Sequence, residues 1–157
     1  MPWSTKLVTA WFLALTLGGC ILTGILAGES SGFRPADTSA YYRGDEAGET
    51  YPKTTRELVE TAHFHVFSMP IVFLVVGHLM GMTRFGNASK SVLISGGFLG
   101  VLLNIAAPFL ILHAGSAWAL GKLAGNILMA VSLVSMSALA LWDLLVAPRR
   151  GAAQTMP

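Results

Sequence analysis

Read for polarity alone, the chain alternates between long apolar stretches, the first three without formal charge and the last carrying Lys122 and Asp143, and polar connectors. Apolar runs cover about residues 7–27, 61–82, 91–113 and 118–145. Each holds the roughly 20 residues that an α-helix needs to cross hydrocarbon, where every backbone group must be satisfied within its own segment. The pattern predicts an all-α integral membrane protein, a four-helix bundle forming a single domain over residues 1–157. Thr54 followed by Glu57 makes a capping box, so the second span is expected to begin outside the membrane and run straight in. Ala114-Gly115-Ser116-Ala117 leaves only a tight turn between the last two spans, which makes them antiparallel neighbours. In the first run, Leu17-Gly18-Gly19-Cys20 loosely resembles a lipoprotein cleavage box, but apolar residues continue past the cysteine and a retained span is expected.

Composition agrees with the pattern. At 54% hydrophobic and 11% charged residues, the chain lies outside ordinary soluble composition. The formal charge of +2 reflects the loops and membrane ends and suggests no nucleic-acid partner. One cysteine, Cys20, excludes an intrachain disulfide. Lys6, Arg84, Lys90, Arg149 and Arg150 all flank the side that carries both termini, so the positive-inside rule places the N and C termini in the cytoplasm, here of a bacterial inner membrane. Residues 28–60 form an outer loop in which Glu29, Asp37, Asp45, Glu46, Glu49, Glu57 and Glu60 outnumber Arg34, Arg43, Lys53 and Arg56. So long a loop serves either as a docking surface for an extramembrane partner or as an ordered cap over the bundle. Trp3, Trp11 and Trp142 near one boundary and Trp118 near the other fit interfacial belts.

Candidate chemistry follows from depth. His63 and His65 open the second span at its outer end, His113 closes the third at the same level, and His78 lies about 22 Å deeper at 1.5 Å per residue. Histidines inside a membrane face protein, water or a ligand. Paired imidazoles on neighbouring helices are what a b-type haem needs, with one nitrogen on each face of the iron. His63 and His65 are about 200° apart in helical phase, and His63 shares a face with Pro70, Gly77 and Gly81. That phase makes His63 the inward candidate, leaving His65 to the loop, to headgroups or to a separate site. Gly96, Gly97 and Gly100 are expected to pack on Gly77 and Gly81 at the inner end. Kinks at Pro70 and Pro108 then splay the outer end into a pocket beside the histidines. Lys122 snorkels to the outer interface, to meet a haem propionate, a quinone oxygen or a lipid phosphate. His78 has no second ligand at its depth and is assigned to an interhelical hydrogen bond or a separate quinone or proton site.

Four spans, the Glu60-Thr61-Ala62-His63-Phe64-His65 segment and His113 resemble the small b-haem membrane subunits that anchor bacterial respiratory oxidoreductases. The resemblance is one of architecture over residues 7–145, without the second ligand pair of diheme members. It implies an electron-transfer subunit with one haem b held by His63 and His113, exchanging electrons between quinol and a cytochrome-like periplasmic partner or larger complex docked on residues 28–60. Such a subunit need not itself be catalytic. Two other readings stay open: a haem-free subunit in which Glu60, His63, His65 and His113 line a quinone or metal site, and a structural anchor of a larger membrane complex.

Overall fold

The computed structural model describes residues 2–45 and 50–146. Glu46, Glu49, Arg149 and Arg150, which entered the charge argument, lie outside the described residues. Four long helices, α1 (Trp3–Ser30), α3 (Thr55–Gly81), α4 (Asn87–Ala114) and α5 (Ala119–Val146), are joined by short connectors, and a fifth, α2 (Pro35–Arg43), lies between α1 and α3. A 3-10 turn, Ser116–Trp118, links α4 to α5. The protein is all-helical, and all four long helices have the length and hydropathy of membrane spans. At 1.5 Å per residue each is about 40 Å long, more than the roughly 30 Å hydrocarbon core, so each tilts or protrudes. Three of these helices begin several residues before their apolar runs, at Trp3, Thr55 and Asn87. At the start of α3, the Thr54 side chain accepts from the Glu57 amide while Glu57 accepts from the Thr54 amide at 2.7 Å.

The end of the bundle that carries α2 and the α4–α5 turn is termed here the loop end, and the opposite one the terminal end. At the loop end the chain forms an ordered cap. Its helix was not predicted within the outer loop, although Pro35 starts it, Asp37 lies in the first turn, Arg43 in the last and Gly44 just beyond. Gly44 adopts φ +81°, and a side chain there would meet the Thr50 carbonyl at 2.8 Å, so glycine lets the chain turn back against α2.

Helices α4 and α5 form the central antiparallel pair. A methyl placed on Gly100 would lie 2.7 Å from the Met129 amide nitrogen, and one on Gly125 would lie 3.0 Å from that of Asn104. The two backbones thus approach through reciprocal glycines, which is how helices gain dispersion contact where no hydrophobic effect drives them together. Contrary to the pairing expected between glycines of α3 and α4, Gly81 has nothing within 4 Å. Gly97 instead receives the Phe73 ring from α3, while Gly96 faces Ser132 of α5. Large residues of α3 fill the gap that glycines of α4 leave. Phe73, Val76, Met80, Val101 and Met136 form the core in the terminal half, and Tyr42, Leu58, Ile111 and Ala119 form a smaller one under the cap. Helix α1 packs chiefly along α5, and Leu13 is its one buried residue.

Basic side chains close the helix ends. Lys90 Nζ donates to the carbonyls of Gly81 and Thr83 at the finish of α3, at 2.9 and 2.7 Å. Arg43 donates to the Ile111 carbonyl at the finish of α4, at 3.0 Å. Both place a cation at a helix C-terminus, where unpaired carbonyls and the helix dipole favour it. Arg84 adds an ion pair with Asp143 of α5 at 2.8 Å.

Candidate functional site

Between the two core clusters lies a cavity of about 390 Å³. On α4 it is bounded by Asn104, Ile105, Pro108 and Phe109, which fall between Val101 of one cluster and Ile111 of the other. Pro108 creates its polar wall. A proline has no amide hydrogen, so the carbonyl four residues earlier, that of Asn104, loses its helical partner. Lys122 Nζ donates to that carbonyl at 3.3 Å. The Asn104 side chain in turn donates to the side chain of Asn126, one turn further along α5. Asn104 is buried, so this pair satisfies an amide that would otherwise be costly inside the bundle.

The α3 wall is the stripe Leu58, Thr61, Ala62 and His65, which follows the i, i+3, i+4, i+7 spacing of one helix face. His65 Nδ1 lies 2.8 Å from the Thr61 carbonyl, a contact in which the ring nitrogen must be the donor. That bond leaves Nε2 as the nitrogen free for a ligand. Tyr41 and Tyr42 of α2 close the loop end, and Lys53 and Glu57 complete the rim. The rim is braced. Lys53 Nζ is 3.2 Å from Glu57 Oε1 and sits over the Tyr41 ring, 5.2 Å from its centroid. Its amide donates to the Tyr42 carbonyl at 3.0 Å. Burial pushes the Tyr42 phenol up to about 12, with the neighbouring Tyr41 adding to the shift.

The sequence placed a pocket at this end beside Pro108, and a cavity is there. The histidine that lines it is His65, the one that helical phase leaves to the loop, to headgroups or to a separate site. His65 and Lys122 line it, as does Glu60, which pairs with Arg56 at 2.8 Å. His63 does not. Its exposed ring packs edge-on against Phe67 and Phe64 of its own helix, with centroids 5.1 and 5.9 Å away. The inward phase assigned to His63 is therefore corrected. That phase was taken from Gly77 and Gly81; Gly77 is buried together with Leu58, Phe73, Val76 and Met80, but Gly81 is exposed with nothing within 4 Å. His65 is within about 20° of Leu58 and Val76 in helical phase, and His63 is on the far side. His113 is also exposed and outside the cavity, and the Pro108 kink does not bring it round. Neither His63 nor His113 lines this cavity. His78 is exposed on α3, and among the described residues its side chain makes no interhelical hydrogen bond. Among the described residues, no three His, Cys, Asp or Glu side chains are grouped as metal ligands.

Sequence reasoning overlooked Tyr41, Tyr42 and the joint role of Asn104 with Lys122. Pro108, four residues after a polar Asn104, was the available signal.

Residues 32–151 match a family model described as a transmembrane helical domain. The chain belongs to this family. The matched region starts after α1, so the family domain comprises α2 to α5 and contains every residue that lines the cavity. No curated protein and no solved structure matches the chain.

Proposed function

We propose that this membrane protein is the quinone-binding subunit of a larger oxidoreductase complex, with the loop-end cavity taking the quinone head group. The observation that carries this reading is the cavity that His65 and Lys122 both line together with the apolar Ile105, Pro108 and Phe109. A quinone head group is a flat ring with oxygens at opposite edges. It needs polar partners on two sides and apolar surfaces above and below, which Ile105, Pro108, Phe109 and Phe64 supply here. On oxidation a quinol loses two protons and two electrons. His65 Nε2 accepts one hydroxyl proton and the Glu60 carboxylate at the rim accepts the other, each proton then passing outward to solvent. The electrons pass to a redox protein docked at the loop end, on the cap that carries α2. In this reading the termini are cytoplasmic, the loop end faces outward, and the membrane is the bacterial inner membrane.

The haem expectation requires His63 and His113 to meet a porphyrin, and in this fold both lie outside the cavity. One preparation decides between the readings. Purified protein should release quinone into a lipid extract, with occupancy falling in His65→Ala and Lys122→Ala and unchanged in His63→Ala. A Soret band that disappears in His63→Ala or His113→Ala would instead establish the haem subunit. Protein lacking both quinone and haem would leave the structural anchor.

A further inference from the structure

Two cations, Lys53 and Lys122, and two carboxylates, Glu57 and Glu60, line the cavity, but neither carboxylate is spent on Lys122. Of its charged residues, Lys53 pairs with Glu57 and Glu60 pairs with Arg56. Lys122 is left over. Its hydrogen bond goes to the neutral carbonyl of Asn104, and among the described residues no carboxylate pairs with it. An ammonium removed from water is costly unless a counter-charge and good hydrogen bonds offset the loss of hydration. A carbonyl oxygen supplies a dipole but no charge.

The arrangement also holds the ammonium in place rather than letting it snorkel away. Lys122 lies one turn into α5, close enough to the interface for its four-carbon stem to reach headgroups. Instead it turns to the carbonyl that Pro108 released, and Asn126 fixes Asn104 on the other side. An unpaired cation anchored at a cavity wall is a binding element for an anionic oxygen.

We infer that the cavity selects a quinone bearing an ionised hydroxyl, whose anionic oxygen pairs with Lys122 while its ring lies against Pro108 and Phe109. This rests on the quinone reading above and specifies the charge state of the ligand. Chemically, the ligand class is that of acidic hydroxyquinones, as opposed to fully substituted neutral ones.

The test uses the full chain in lipid nanodiscs and compares two probes of one skeleton: a hydroxynaphthoquinone, ionised at neutral pH, and unsubstituted naphthoquinone. The expected result is about tenfold tighter binding of the ionised probe, the worth of one charge-assisted hydrogen bond. That preference should vanish in Lys122→Met, which should bind both probes alike and more weakly than the native chain binds the ionised one, and a thermal melt in the same nanodiscs shows that its fold is intact. Lys122→Arg should keep the preference. Equal binding of both probes by the native chain would overturn the inference and leave the quinone site standing. A preference that survives in Lys122→Met would overturn the inference by assigning the anion to another cation. Binding of neither probe would overturn the inference and the quinone reading together.

Discussion

Lys122 and Asn104 are joined across α5 and α4 by a hydrogen bond of 3.3 Å to a backbone carbonyl that α4 itself cannot satisfy, because the donor four residues on is Pro108. A helix defect and a membrane cation thus complete one another.

Replacing Pro108 with alanine restores the missing donor and frees Lys122. We expect the variant to be more stable, by no more than about 3 kcal/mol, the scale of a proline penalty in a helix interior. Quinone binding should nonetheless weaken, by about tenfold if one charge-assisted bond is lost. Unfolding in detergent and ligand titration on the same sample check both signs.

The Asn104–Asn126 contact should reveal itself in a double-mutant cycle. Asn126→Leu leaves the buried Asn104 amide without its acceptor and should cost about 1 kcal/mol. The double variant with Asn104→Leu should cost less than the sum of the singles, because no orphaned amide remains.

Gly100→Ala and Gly125→Ala each force a methyl onto the backbone of the facing helix, at 2.7 and 3.0 Å. We expect losses of about 1–3 kcal/mol for each, the range of overpacked sites. Gly24→Ala is the control, since its methyl meets nothing within 4 Å, and should fall within about 0.5 kcal/mol of the native chain. Thermal melts of the three variants in one detergent make the comparison.

Tyr42 should hold its proton to about pH 12, read as a late phase in the ultraviolet titration of the tyrosines and absent in Tyr42→Phe. The sign of the linked stability follows. Above the ordinary value of 10.0 the unfolded chain gives up this proton while the folded chain keeps it, so the folded state binds more protons. Stability of the cap therefore falls as pH rises from about 10 towards 12, and Tyr42→Phe removes that part of the fall.

The four spans were legible because each must satisfy its own backbone in hydrocarbon, which forces a long apolar run. The Thr54–Glu57 box was equally plain, since capping is local chemistry. The facing of α3 was not. Small residues pointed to His63, but in this bundle the glycines of α4 accept large side chains such as Phe73, so the buried face of α3, Gly77 aside, is the bulky one. Lys122 was expected to snorkel to the outer interface and meet a haem propionate, a quinone oxygen or a lipid phosphate, whereas in the fold it donates to a main-chain oxygen, which no residue pattern spells out except through Pro108.

Helix α1, held chiefly by α5 with Leu13 alone buried, has a further consequence for how the protein meets bilayers of different thickness. A span fastened along one neighbour tilts at little cost, whereas α3, α4 and α5 are interlocked by Phe73 and the paired glycines. Hydrophobic mismatch should therefore be absorbed by the lean of α1, and the walls of the cavity should keep their spacing from one membrane to the next.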